Sequence, residues 1–183
     1  MKTNTRAGRS MSFILAIGML AVSCKKSVNE ASFVKNYGVA TFTTDTISTV
    51  GAKFLGQKII NTDLTADLSA KGFTKANIKS VKILNLVLYV TDSSRNLNCF
   101  RRLEIRVSNS TGAGDVVISS VNLPDETAQK SVYFKTEDVD MQEFFKNDEL
   151  TFKFYGVNDL PIRPEPLEME VRMMFEVNTA LGN

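Results

Sequence analysis

The chain contains no histidine and no tryptophan, two cysteines, and four prolines in 183 residues. Without histidine, Ser-His-Asp and Cys-His catalysis fall away, as do histidine-containing zinc sites and the commonest general base. Without tryptophan, the strongest aromatic platform for stacking on sugars or cations is missing. Carboxylate-only catalysis and oxygen-only Ca²⁺ binding pass this filter. With only two cysteines, Cys24 and Cys99, and Cys24 assigned elsewhere below, a structural disulfide is not expected. Cys99, between Asn98 and Phe100, reads as a half-buried apolar residue rather than a nucleophile.

Charge of one sign is also scarce. The formal net charge is +2, but Lys2, Arg6 and Arg9 sit in an N-terminal stretch with no acidic residue. Without those three the remainder carries about −1, so the domain lacks the basic surplus of a nucleic-acid binder. The apolar run Phe13–Val22 falls short of the ~20 residues a membrane-spanning helix needs. A basic start followed by a short apolar run is the pattern of an export signal. Hydrophobic residues at 43% and charged residues at 23% are ordinary globular values, and the length fits one domain behind that signal.

The apolar run ends in Leu20-Ala21-Val22-Ser23-Cys24. This resembles the lipobox of bacterial lipoproteins, with Leu20 one place earlier than in the commonest form and Ala21 at the position leucine usually holds. The resemblance implies a diacylglycerol on the Cys24 thiol, cleavage before Cys24, and an N-acyl chain on the new amino group. Two or more acyl chains anchor firmly where one is marginal; no other cofactor is expected. The Ser23-Cys24-Lys25-Lys26 junction is similar to lipoproteins of the Bacteroidota type. It lacks the acidic cluster that sends such proteins to the cell surface and the aspartate that retains others in the inner membrane. That implies the outer membrane, lipid-anchored and facing the periplasm.

Beyond the anchor the pattern is β. Tyr37–Thr44 reads as a first strand, and Val50–Ile60 is ambiguous because Gly51 and Gly56 interrupt it. Ile78–Thr91 is the most apolar strand; its failing alternation suggests a central or bulged position. Arg102–Ser108, Val116–Val121, Ser131–Lys135 and Leu150–Tyr155 follow, and Leu167–Val177 shows the clearest period-two pattern. Two short helices are expected: Asp63–Lys71, with Thr62 as cap and Gly72 as the left-handed stop, and Met141–Lys146, with Asp140 as cap and Glu143 completing a capping box. About seven strands without a βαβ rhythm predict a mainly β, two-sheet antiparallel β-sandwich, Ig-like, with one or two short helices. The division expected is a signal at 1–23, a lipidated tether at 24–36, the sandwich at 37–177 and a tail at 178–183.

Site signals are weak beside the anchor. Glu137-Asp138-Val139-Asp140 offers oxygens for Ca²⁺ but lacks EF-hand spacing, and helix capping accounts for it; no metal site is expected. Glu168, Glu170 and Glu176 form a row facing away from the core, with Arg172 as their partner. Ser108–Gly114 contains Gly-x-Gly but opens no helix, so it reads as a hairpin loop. Tyr133, Tyr155 and Phe152 are either groove-lining aromatics or strand packing. The expectation is a non-enzymatic, membrane-anchored lipoprotein presenting a binding or structural module in the envelope, with an envelope protein or glycan as partner and no nucleic acid. The alternatives are a carbohydrate- or peptide-binding lipoprotein of an uptake system and, third, a carboxylate-only hydrolase.

Overall fold

β8, Glu168–Ala180, is the ruler of the structure. Its odd-numbered residues from Met169 to Thr179 are buried and its even-numbered ones point outward without interruption, as a period-two sequence dictates. The computed structural model describes residues 29–44, 50–109, 114–124, 128–136, 139–158 and 166–181. The remaining strands are β1 (Glu30–Thr43), β2 (Gly51–Asn61), β3 (Ile78–Val90), β4 (Arg102–Asn109), β5 (Val116–Asn122), β6 (Ser131–Tyr133) and β7 (Glu149–Asn158). They form two four-stranded sheets, ordered β1-β8-β3-β6 and β2-β7-β4-β5. Every pairing is antiparallel.

The mainly β, two-sheet sandwich is therefore present, but its wiring is not that of an immunoglobulin domain. β1 pairs with β8, β2 with β7, β3 with β6 and β4 with β5. The chain is one long antiparallel ribbon, folded back at β4–β5 and rolled into two layers. This is the eight-stranded jelly roll. The extra strand is β2, and its irregularity has a local cause. The register shifts between Phe54 and Gly56, so the residues facing inward change phase mid-strand and the apolar alternation is lost.

Two boundaries also differ from the expected division. β1 starts at Glu30, so residues 30–36 belong to the sheet and not to the tether, and β8 continues through Ala180, past the expected end at Val177. In β1 the inward positions are Ala31, Phe33 and Lys35 before a register shift between Asn36 and Val39, Tyr37 within it, then Ala40 and Phe42 after it. Gly38, at φ +67, makes that shift, taking a conformation that suits glycine. The polar Lys35 breaks the hydrophobic pattern because it lies under a helix, where it bonds Asp67 at 2.8 Å.

The core lies between the sheets. Phe42 of β1 stacks on Phe154 of β7 with centroids 4.5 Å apart, joining the layers at one edge. Phe175 of β8 sits among Tyr37, Phe145 and Phe152 at 5.7, 4.9 and 6.2 Å. Helices α1 (Thr65–Ser69) and α2 (Gln142–Phe145) close one end, inserting Leu68 and Phe145 into this core. Gly72 at φ +81 follows α1, as expected of a left-handed stop.

The caps differ from the sequence expectation. Leu64 occupies the N-cap position of α1 without a side-chain bond, while the Thr62 hydroxyl donates to Asn147 O at 2.8 Å. Asp140 Oδ1 accepts from Gln142 N at 2.9 Å and from Val81 N at 3.2 Å, tying α2 to β3. Glu143 closes no capping box; its carboxylate takes Lys146 at 2.5 Å.

Candidate functional site

The registers place the two ends of the sandwich. One end carries Asn29, Leu181, α1, the 3₁₀ turn Lys75–Asn77 and α2. The chain's described ends meet there, Leu181 N donating to Asn29 O at 2.9 Å. The opposite end carries the connections after β1, β3, β5 and β7.

The helical end is held by a polar knot. Lys75 Nζ reaches Asp148 Oδ1 at 2.6 Å, Asn147 O at 3.1 Å and Thr62 Oγ1 at 3.3 Å. The Lys75 hydrogen bond and charge hold the Asp148 carboxyl below the usual carboxylate range. Nearby, the Tyr37 hydroxyl donates to Thr62 O at 2.7 Å. Burial, with the negative charges of Asp63 and Asp67, pushes this phenol well above its ordinary value.

Both broad faces carry an arginine–glutamate–tyrosine cluster. On the β8 sheet, Arg172 Nε donates to Glu170 Oε1 at 2.7 Å, and the guanidinium lies 4.9 Å from the Tyr89 ring centre. Glu170 and Tyr89 are direct cross-strand partners, as are Arg172 and Val87. Val87 faces outward yet is only 1% exposed, because its neighbours across the strands are Arg172 and Tyr133. On the β7 sheet, Arg106 Nε donates to Glu104 Oε1 at 2.6 Å and lies 4.9 Å from the Tyr155 ring, which meets Phe54 edge-on at 5.5 Å. In each cluster the hydrogen bond and charge of the glutamate raise the arginine pKa. A shallow hollow of about 130 Å³ between Arg102, Glu104, Arg106 and Tyr155 completes the second face.

Recurrence of one arrangement on opposite faces is what cross-strand stabilisation of a solvated sheet produces. Tyr133 has no counterpart in that scheme. It is 68% exposed and borders an open hollow of about 410 Å³ between the edges of β5 and β6, lined also by Val121, Leu123, Lys130 and Val132.

The candidates named from sequence are scattered. Tyr133 and Tyr155 lie on opposite faces and Phe152 is buried in the core, so the three share no groove. Glu168, Glu170 and Glu176 do share the outer face of β8, where Glu170 is tied to Arg172 and Glu176 accepts from Ser32 Oγ at 3.3 Å. Asp140 serves the backbone, as described; Glu137 and Asp138 lie outside the described residues, as do Cys24 and most of the loop at 110–113. Burial pushes the Cys99 thiol up to about 11, the opposite of an activated cysteine. Among the described residues no three acidic or cysteine side chains gather in a metal-ligating group. Sequence reasoning missed Arg106 and Tyr89, whose only signal was their strand parity.

No family model and no curated protein matches this chain. Among solved structures, a cryo-EM structure of giant freshwater prawn Macrobrachium rosenbergii nodavirus semi-empty VLP aligns over 98% of this chain and 97% of that chain, at 10% identity and a TM-score of 0.29. A likeness that small carries no argument, and the jelly roll rests on strand order alone.

Proposed function

We propose that the chain is an outer-membrane lipoprotein, anchored through acyl chains on Cys24 and facing the periplasm, whose jelly roll is a non-catalytic binding or structural module of the envelope. The observation that carries this reading is the run from the basic N-terminus through Phe13–Val22 to Leu20–Cys24. The domain's ion pairs speak against several of its carboxylates as the general acid of a carboxylate-only hydrolase. Glu104, Glu170 and Asp67 each face arginine or lysine, and Asp92 and Asp148 are held below the usual carboxylate range, Asp92 by the Ser94 hydroxyl and N–H. A glycoside-cleaving general acid needs a carboxyl shifted the other way.

Replacing Cys24 with Ala tests the anchor. The variant is expected to leave the membrane fraction and to lose incorporation of labelled fatty acid; retention of both overturns the reading. A second reading, binding of a peptide or glycan, is favoured by Tyr133 and the hollow beside it. It predicts that Tyr133→Ala abolishes retention on an immobilised envelope glycan or peptide library while leaving thermal stability unchanged. No retention of the parent protein sinks it.

A further inference from the structure

We infer that the helical end of the sandwich, bearing residues 62–77 and 139–148, sits on the headgroup layer of the bilayer, so that the opposite end points away from it. This rests on the anchor reading of Cys24. The observation behind it is the start of β1 at Glu30. Residues 25–29 alone separate the anchor from the sheet, and six residue steps reach at most about 20 Å in any conformation. The sandwich is longer than its leash: strands of thirteen residues, β3 and β8, extend roughly 40 Å at ~3.3 Å per residue.

The surfaces fit that placement. At the helical end, Leu181 is 40% exposed at the corner where Asn29 enters. Lys71 and Lys79 are exposed there and make no ion pair among the described residues. Lys25 and Lys26 add two cations at the anchor, which an anionic headgroup surface attracts. The end also carries the exposed carboxylates of Glu30, Asp63, Asp140 and Glu149, so it rests against headgroups and does not insert. Each broad face carries ion pairs, Arg172–Glu170 on one side and Arg102–Glu104–Arg106 on the other, beside exposed apolar side chains, Val34, Val39, Leu84 and Tyr133 on the first and Phe54 and Ile59 on the second. Lying flat would strip water from those charges while burying only those scattered apolar side chains. A protein partner therefore approaches the faces or the far end, where Tyr133's hollow opens towards the β5–β6 connection.

The test uses the full, acylated chain in vesicles of phosphatidylethanolamine and phosphatidylglycerol with an acceptor dye on the headgroups. A donor dye is placed at Ser69→Cys, on α1, or at Ser94→Cys, at the far end, each with Cys99→Ser; both serines are exposed. Energy transfer is expected to be several-fold stronger from position 69. A flexible Gly/Ser insert of about twenty residues between Lys26 and Ser27 frees the domain and is expected to shrink the difference. Equal transfer from the two positions, as for a sandwich lying on its side, overturns the orientation while leaving the anchor intact. A parent chain that fails to float with the vesicles overturns both.

Discussion

At the scale of single residues, packing around two glycines sets the tolerances. A Cβ at Gly156 would meet the Phe100 ring at 2.6 Å and Leu55 at 3.1 Å, and Phe100 is itself buried. Gly156→Ala is therefore expected to destabilise the domain by about 1–3 kcal/mol through overpacking. Urea unfolding checks this, and in a Phe100→Ala background the same substitution is expected to cost much less. Gly56 plays the same part for Phe42, whose ring lies 2.6 Å from the position of a Cβ there. Cys99 gives a pH prediction. Its thiol, pushed up to about 11 by burial, remains protonated in the folded chain where the unfolded chain has already ionised. Folding then retains a proton the unfolded state releases, so stability is full below pH ~9 and falls as pH rises towards 11. Thermal melts between pH 8 and pH 10.5 check it; Cys99→Ser is expected to flatten the slope.

At the scale of elements, the link between the helical end and the β7 sheet runs through Thr62, buried and bonded to Asn147 O at 2.8 Å. Thr62→Val keeps the shape and removes the hydroxyl, with an expected cost of about 1–2 kcal/mol. Asp148→Asn breaks a bridge whose carboxylate is 89% exposed and is expected to cost less, since water screens the pair. Chemical denaturation of the two variants side by side ranks them. The same elements show what the amino-acid pattern could reveal. β8 was legible because no bulge interrupts its alternation. β1 and β2 were only partly legible because Gly38 and Gly56 accompany register shifts that invert the inward-facing parity. Lys35 hid the start of β1, since a lysine pointing inward makes sense only once Asp67 is known to lie above it. The pairing of Arg172 with the β8 glutamates was legible, but the tyrosine of that cluster was not, for a similar reason: Tyr89 and Arg172 are far apart in sequence and meet only through the β3–β8 register.

At the scale of the molecule, strand order governs stability. β8 lies between β1 and β3 and supplies five of the buried core residues, Met169, Val171, Met173, Phe175 and Val177, with Leu167 just before it adding a sixth. A chain ending at Pro166 is expected not to fold at all, losing its near-ultraviolet circular dichroism and sharp melting transition; a cooperative melt in that truncation would contradict the topology. The two-layer sandwich was legible from the number of strands apolar on one face. The jelly-roll wiring was not, because pairings such as β1 with β8 leave no local mark on either segment.

That wiring has a consequence in time. A chain that emerges N-terminus first presents β1, whose partner β8 is the last strand to appear, and β2, whose partner β7 appears just before it. The first pair able to close is β4–β5, the hairpin at the fold of the ribbon, and assembly then zips outward until β1 is paired last. Through most of its emergence the protein therefore exposes a long strand edge with Phe33, Val34 and Val39 on it, the kind of edge that aggregates. A holding chaperone is needed most by the segment that was made first.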